Sequence, residues 1–237
     1  MIWVGTSGFQ YPEWKGKFYP RVIVSEQMLP FYGSHFPTTE VNYTFYRIPA
    51  PVVMRRWCLA TPQMFRFGLK APRQITHARK LLHCKGAVKR FVTVALRLKR
   101  KLGPILFQLP PFFKKDVARL EKFLKILPAR LRFAFEFRHA SWFVDEVYEL
   151  LRSENAALCI AESEKMTTPV VMTADFGYFR LREERYTARD IKKWAQIVAR
   201  EGAALKETFV YFKHERKALG PKFARLFLKN LANASGT

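Results

Sequence analysis

Eight short apolar segments alternate with longer amphipathic segments along almost the whole of this 237-residue chain. Their length and their β-branched or aromatic content predict strands at residues 2–7, 39–42, 65–70, 105–109, 133–137, 157–162, 178–182 and 209–214. The amphipathic segments predict helices at residues 51–61, 86–101, 116–127, 142–154, 187–202 and 219–232. This alternation is typical of a parallel sheet, because parallel neighbours need long return connections.

Eight strands in a chain of this length predict an irregular (β/α)8 TIM barrel, a fold that typically uses about 250 residues. The stretch between residues 162 and 178 contains Pro169 and Gly177 and is too short for a full crossover helix. We therefore expect the barrel to be irregular on that side. An open doubly wound sheet is the alternative, but no glycine-rich nucleotide fingerprint follows any predicted strand. No linker, repeat or low-complexity segment interrupts the sequence, so we expect a single domain over residues 1–237.

Nearly every predicted strand delivers a polar or charged side chain to its carboxyl end. In a barrel these ends converge on one mouth, where the active sites of such folds lie. Because side chains alternate along a strand, Glu136 and Arg138 share one face of theirs, opposite the phenylalanines. The residues expected at the mouth are Ser7, Glu40, Asn42, Lys70, Gln108, Glu136, Arg138, Glu162, Arg180, Arg182, Lys213, His214 and Glu215.

The sharpest constellation is Glu136-Phe137-Arg138-His139, which places a carboxylate, a guanidinium and an imidazole at one strand end. Glu136 is our first choice for a general base or acid, and Arg138 for a phosphate clamp. A structural ion pair between Glu136 and Arg138 or Lys70 is an equal alternative, and for His139 we favour a structural role. A lysine at the mouth is also an imine-forming nucleophile if neighbouring arginines depress its pKa. The candidate catalytic residues are Glu136, Lys70, Arg138, Glu40 and His214.

Aromatic side chains cluster where the strands give way to loops. Most are expected to pack in the core, but four are placed to stack on bases or sugars. With polar groups of the strand ends they form the candidate substrate-binding set, Ser7, Tyr11, Trp14, Asn42, Tyr46, Gln108, Trp142, Arg180 and Arg182, of which Tyr11, Trp14, Tyr46 and Trp142 are the stacking candidates. Strand-end cations around one or two carboxylates suit an anionic ligand such as phosphate.

The net charge of +23 is concentrated in one third of the sequence. Residues 41–115 contain 17 Lys and Arg and no Asp or Glu, while the rest of the chain is close to balanced. Such an excess favours a nucleic-acid partner, DNA rather than RNA, over a merely solvated helix face. The expected phosphate contacts are Lys85, Lys89, Arg90, Arg97, Arg100 and Lys101.

Cysteine use and hydropathy bear on compartment and cofactors. Three scattered cysteines without a CxxC pair suit a reducing cytoplasm. Neither a signal peptide nor a run of about 18 apolar residues is present, so no membrane span is expected. No cofactor and no protein partner is assigned. A divalent metal held by Glu40, Glu136, Glu162 and His214 stays open, although the spacing of these residues is too diffuse to be specific.

Five sequence motifs, in order along most of the chain, resemble those of the YecE-like family, also labelled domain of unknown function 72. They are WVGTSGFxYxxWxGxFYP from Trp3, EVNxxFY from Glu40, FxxKxPxxITH from Phe67, LGPxLFQLPP from Leu102 and ExRHxSW from Glu136. The resemblance implies an irregular (β/α)8 barrel similar to endonuclease IV and xylose-isomerase-like barrels. That similarity has prompted nuclease or nucleic-acid-binding suggestions, which rest on fold analogy and do not fix the function.

Three positions depart from the family pattern. Glu162-Ser163 stands where relatives usually carry Asp-Ser, Arg180-Leu181-Arg182 replaces Arg-x-His, and Lys213-His214 replaces a pair of Asn. Two of these changes add positive charge at the mouth and one removes an imidazole. They put a carried-over metal site in doubt and favour an anionic substrate.

Three classes of function follow from these features. The first is an enzyme that binds nucleic acid and hydrolyses it, an endonuclease or base-excision enzyme whose mouth receives a nucleotide. The second is a nucleic-acid-binding protein without catalysis. The third, less favoured, is a hydrolase or isomerase of a small phosphorylated substrate.

Overall fold

The computed structural model describes residues 1–164 and 166–234, and within them eight parallel strands close a (β/α)8 barrel. The strands are β1 (Ile2–Ser7), β2 (Thr38–Val41), β3 (Arg66–Lys70), β4 (Leu102–Gln108), β5 (Phe133–Glu136), β6 (Ala157–Ser163), β7 (Met166–Thr167), β8 (Phe176–Leu181) and β9 (Glu207–Phe212). The short β7 pairs antiparallel with β6 and stands outside the barrel. Pairing of β1 with both β2 and β9, and of β5 with β6, closes the ring. The predicted fold class is confirmed, and each predicted strand overlaps one of the barrel strands.

Helices cover the outside of the barrel. They are α1 (Ser25–Gly33), α2 (Tyr43–Tyr46), α3 (Pro51–Leu59), α4 (Lys85–Ala95), α5 (Val117–Leu124), α6 (Asp145–Ser153), α7 (Ala188–Gly202) and α8 (Leu219–Ala234). All six predicted helices are present, but the one predicted at 86–101 ends at Ala95 and continues as a 3-10 turn to Lys101. Sequence analysis missed two helices, α1, because Pro30 lies inside it and proline normally interrupts a helix, and the single turn of α2.

Two helix starts follow the local chemistry of their sequence. The Asp116 side chain accepts a hydrogen bond from the backbone nitrogen of Arg119 at 3.0 Å and so begins α5. Thr187 and Asp190 form a reciprocal capping box at the start of α7. These caps satisfy amide groups that a helix leaves without internal partners.

The connection from β6 to β8 is the irregular side of the barrel. Its described residues, 164 and 166–175, contain the β7 hairpin strand and no helix. The predicted irregularity is therefore confirmed. Glu164 and Met166 of this connection, together with Ser163 at the end of β6, border a cavity at the mouth.

The barrel interior is a packed core. Side chains that face it include Trp3, Leu106, Tyr178 and Tyr211, all buried. A Cβ atom at Gly68 would lie 2.8 Å from the Tyr211 hydroxyl, so this glycine makes room for the tyrosine ring.

The amino-terminal end of the barrel is closed by a plug of aromatic and charged groups. Trp3 Nε1 donates a hydrogen bond to Glu207 at 3.0 Å, and the Arg66 guanidinium lies over the Trp3 ring. A ligand would therefore enter the barrel from its carboxyl end. No helix in the described part of the chain has the length and hydropathy required to cross a membrane.

Candidate functional site

A guanidinium lies at the centre of the mouth, between two carboxylates. Arg180 on β8 is 1% exposed, and Glu40 on β2 and Glu136 on β5 are fully buried. Arg180 Nη2 donates to Glu40 at 2.8 Å, and Arg180 Nη1 donates to Glu136. All three side chains face the interior, as their alternation along the strands predicts. One arginine therefore links three strands across the barrel.

Glu40 is held by neutral donors as well as by Arg180. Tyr178 donates its hydroxyl to Glu40 Oε2 at 2.6 Å, and the Ser7 hydroxyl donates to Oε1. Asn42 Nδ2 donates in turn to the Ser7 oxygen at 2.8 Å. These bonds satisfy the buried carboxylate and fix its orientation.

Glu136 organises a cluster of cations. Besides Arg180, it contacts Arg138 Nε at 2.9 Å and Arg182 Nη2 at 3.3 Å, and it accepts a hydrogen bond from Gln108 at 2.9 Å. The ion pair with Arg138 that the sequence suggests is present. The alternative pair with Lys70 is absent from the described contacts.

The electrostatic balance keeps both carboxylates ionised. Burial by itself would raise the pKa of Glu136, but Arg180, Arg182 and Arg138 lower it well below 4.5. Burial likewise opposes ionisation of Glu40, and Arg180 reverses the effect and lowers its pKa. Glu136 thus carries no proton to donate at neutral pH and is a weak proton acceptor.

Lys70 is an amine without an anionic partner at the end of β3. It is 9% exposed, and its Nζ lies 3.9 Å from the centroid of the Phe45 ring. Within the described residues, Nζ forms neither a hydrogen bond nor an ion pair. Burial first and then the charge of Arg180 lower the pKa of Lys70 to about 7. A large fraction of this amine is therefore unprotonated near neutral pH.

A cavity of about 720 Å³ lies over β5, β6, β8 and β9. Glu136 lies at its inner wall, together with Arg138 and Arg182. Its cationic lining consists of Arg138, Arg182, Lys213, Arg216 and Lys217, and its acidic lining of Glu136, Glu164, Glu184 and Glu215. Since Arg138 and Arg182 both contact Glu136, fixed guanidiniums are presented to a ligand in this space.

Two residues expected at the mouth have other surroundings. Glu162 faces the helix layer, where it accepts hydrogen bonds from Tyr186 and from Trp194 Nε1 at 2.5 Å. His214 borders the cavity, but its Nε2 lies 2.7 Å from the backbone oxygen of Glu183. The set considered for a metal is therefore not assembled. Across the described ranges, no group of three or more His, Cys, Asp or Glu residues could hold a metal ion.

The four stacking candidates differ in access. Trp14 and Trp142 are buried, and the Trp142 ring lies parallel to Phe137 with centroids 4.5 Å apart. Tyr11 is partly exposed and Tyr46 is largely exposed. Only these two tyrosines, among the four candidates, offer ring surface to a ligand without rearrangement.

The basic segment does not form a rim around the mouth. Its exposed members among the candidate phosphate contacts are Lys85, Lys89, Arg90, Arg97 and Arg100. Because β3 and β4 are parallel, their connection starts at the mouth and returns to the opposite end of the barrel. Arg97 and Arg100, just before β4, therefore lie away from the mouth. Lys101 is engaged locally, since its Nζ donates to the backbone oxygens of Cys58 and Thr61 at 2.6 and 2.7 Å.

Sequence reasoning missed three groups of the site. Tyr178 shares a face with Arg180 two residues later, so strand alternation contained the signal for it. Arg216 and Lys217 lie in a 3-10 turn after β9, where no periodic pattern marks their direction. Their place at the cavity follows from the loop conformation.

Comparison with known proteins agrees with the fold. The family described as "Protein of unknown function DUF72" matches residues 3–237. The chain is 33% identical over 144 residues to the UPF0759 protein YecE of Escherichia coli K12, which is 60% of this chain and 50% of YecE. It is 32% identical over 158 residues to the UPF0759 protein YunF of Bacillus subtilis 168, covering 63% and 55% of the two chains. The chain thus spans about half the length of the curated relatives that it matches.

Solved structures extend the similarity to the full barrel. A DUF72 family protein from Thermotoga maritima superposes with a TM-score of 0.85 at 28% identity, covering 98% of this chain and 99% of the other. A DUF72 family protein from Enterococcus faecalis has a TM-score of 0.83 at 20% identity, with coverage of 98% and 96%, and shows the same fold. The molecule is a (β/α)8 barrel with a charged mouth, and the chain belongs to the DUF72 family.

Proposed function

We propose that the protein binds nucleic acid, DNA before RNA, and hydrolyses it at the barrel mouth as an endonuclease or base-excision enzyme. The observation that carries the proposal is the cavity at the mouth, where the guanidiniums of Arg138 and Arg182 form ion pairs with the buried carboxylate of Glu136. Its volume falls in the range of about 300–1,000 Å³ that small-molecule sites occupy, which suits one nucleotide. The proposal places the protein in the cytoplasm, and its free cysteines are consistent with that reducing compartment.

Arg138 and Arg182 are the phosphate-binding groups in this proposal. Arg138 uses Nε to hold Glu136, and neither of its Nη atoms has a partner among the described residues. A guanidinium has five N–H donors, so one edge can be fixed by the protein while another binds phosphate. Fixing both arginines in advance lowers the entropy lost when the ligand binds.

Lys70, rather than Glu136, is the proton acceptor that we propose for the attacking water. A general base works best when its pKa is close to the working pH. The pKa of Lys70 is about 7, whereas that of Glu136 lies well below 4.5. Glu136 then acts as a positioning residue that keeps the guanidiniums in place.

The exposed start of the basic segment would contact the flanking phosphates. Lys85, Lys89 and Arg90 belong to the first half of α4, which begins on the mouth side of the barrel. A duplex that lies across the mouth would meet them while one nucleotide is turned out of the stack into the cavity. Five phosphate contacts in total, three here and two at the arginines, would give a salt slope of about −4 to −5.

The test is binding and cleavage of labelled oligonucleotides, namely single- and double-stranded DNA, RNA, and duplexes with a uracil, deaminated or abasic site, with and without EDTA. We expect salt-sensitive binding, cleavage of at least one DNA substrate, and about a tenfold or greater loss of affinity in the double variant Arg138→Gln/Arg182→Gln. Arg152→Gln, on the surface of α6, is the matched control and should bind as the unmodified protein does. Absence of binding at low salt, or equal binding by the double variant, would contradict the proposal.

A small phosphorylated substrate is the second candidate. It is favoured by one observation, the separation of the cavity cations from Arg97 and Arg100 at the other end of the barrel. Such a ligand would bind with a weak salt dependence and leave oligonucleotide affinity negligible. Salt-sensitive binding without any cleavage would instead indicate a non-catalytic nucleic-acid-binding protein.

A further inference from the structure

We propose that Lys70 is a nucleophile that forms an imine with a carbonyl carbon of a phosphate-bearing substrate. The inference rests on the proposed function for the position of the substrate phosphate at Arg138 and Arg182. It goes beyond that function because, for a substrate that carries a carbonyl group, it assigns Lys70 a covalent step in place of the role of proton acceptor.

The surroundings of Lys70 distinguish it from the three arginines at Glu136. Arg138, Arg180 and Arg182 each contact the Glu136 carboxylate, whereas Lys70 contacts no carboxylate in the described structure. Its Nζ lies against the face of Phe45 instead. The ring face attracts the protonated amine, so this contact fixes the position of Nζ, while burial and Arg180 favour the unprotonated form.

The position of Lys70 is fixed by two residues of α2 that contact it. Its backbone oxygen accepts a hydrogen bond from the Thr44 hydroxyl at 2.6 Å, and Phe45 follows directly in α2. The same short helix thus holds the lysine backbone and covers its amine. A preorganised amine of this kind is what covalent catalysis requires.

The protonation state is consistent with a nucleophilic role. Arginine stays protonated in proteins, so a crowd of cations at one site is relieved by deprotonation of the lysine. Burial and the nearby charge of Arg180 are the two largest causes that lower the pKa of Lys70. Lysine nucleophiles of enzymes are activated by this combination of desolvation and neighbouring positive charge.

The reaction needs only the amine and the carbonyl compound. The nitrogen lone pair attacks the carbonyl carbon, a C–N bond forms, and the π electron pair moves to oxygen, which takes up a proton. The resulting carbinolamine loses its hydroxyl group, which leaves as water. That water molecule contains two hydrogens, equal to the two that the amine gives up. The product is an imine, and its formation needs no oxidant or reductant.

The substrate chemistry is therefore an aldehyde or ketone close to a phosphate ester. Two sources have this chemistry. One is the ring-opened deoxyribose of an abasic site in DNA, and the other is a free phosphorylated sugar. The fixed guanidiniums of Arg138 and Arg182 would hold the phosphate in either case.

The experiment is trapping with cyanoborohydride, which reduces an imine to a stable amine, followed by peptide mapping. The two probes are a duplex with one abasic site and pyridoxal 5′-phosphate, which carries an aldehyde and a phosphate. Lys70→Arg keeps a cation and removes the nucleophile, and Lys122→Arg on the exposed face of α5 is the matched control. Lys70→Met has a side chain of similar length. Its thermal unfolding tests whether a loss of trapping reflects a loss of folding.

We expect one dominant adduct at Lys70 in the unmodified protein. The yield of this adduct should fall about tenfold or more in both Lys70 variants and stay unchanged in the control. Adducts spread over exposed lysines, or equal trapping by Lys70→Arg, would overturn the inference. Binding of the abasic duplex with trapping of neither probe would overturn it and leave the proposed function standing. Trapping of pyridoxal 5′-phosphate at Lys70 without oligonucleotide binding would support the imine, assign a small substrate, and contradict the proposed function.

Discussion

Replacing Arg180 by methionine is expected to lower the free energy of unfolding by about 3–5 kcal/mol, the usual effect of removing one partner from a buried ion pair. The reason is that Glu40 and Glu136, both fully buried, would lose the cation that they share. Methionine approximates the length of the arginine stem, so the change isolates the guanidinium. Denaturant unfolding at pH 7 measures the difference.

The pH dependence of this variant should have the opposite sign from that of the unmodified protein. The folded pKa values of Glu40 and Glu136 are lowered, so their ion pairs stabilise the protein above about pH 4.5 and are lost as the pH falls through the folded pKa values. Without Arg180, burial would raise the pKa of at least one carboxyl. The penalty would then be full at neutral pH and would shrink as the pH falls toward the unfolded pKa near 4.5.

The control for this prediction is Arg200→Met. Arg200 is largely exposed on α7 and pairs with its neighbour Glu201. Surface pairs contribute about 0–1 kcal/mol, so we expect little change. If the free energy of unfolding of Arg180→Met is as close to that of the unmodified protein as that of this control, the proposed central role of Arg180 is contradicted.

Glu136→Gln is expected to destabilise the protein by about 3 kcal/mol, because three guanidiniums would lose the carboxylate that neutralises them. It should also lower the pKa of Lys70 further, since the negative charge of Glu136 raises that pKa. The pH profile of cyanoborohydride trapping at Lys70 should therefore move to lower pH and remain measurable. Denaturant unfolding and this profile are the two measurements.

This variant also decides between two roles for Glu136. As a positioning residue it would shift the pH profile, whereas a residue required for the covalent step would abolish trapping at every pH. Glu146→Gln is the matched control, because Glu146 forms an exposed pair with Lys115 at 3.0 Å. That change should alter the free energy of unfolding by less than about 1 kcal/mol and leave the profile in place.

The sequence predicts much of this site because strand geometry is periodic. Alternation places Glu40, Glu136 and Arg180 on interior faces, and the parallel barrel brings those faces together. It does not predict that Arg180 bridges both carboxylates while Lys70 remains unpaired. Those partnerships depend on distances across the barrel between strands that are not neighbours.

One expectation failed because nearness to a strand end was taken as a place at the mouth. Glu162 follows Ala161, which faces the interior, and a shift of one residue reverses the direction of a side chain. The basic segment is contiguous in sequence but descends the outer wall, since a crossover helix must return to the start of the next strand. The structure therefore divides the basic segment between the two ends of the barrel.

The most direct test of the account is the titration of the Lys70 side chain by NMR, with Lys70→Arg used to assign its signals. Both proposed roles of Lys70 require an amine that is largely unprotonated near neutral pH within a cluster of fixed guanidiniums. We predict an apparent pKa of about 7 for Lys70. A value near the ordinary lysine value of about 10.4 would contradict both its role as proton acceptor and its role as nucleophile.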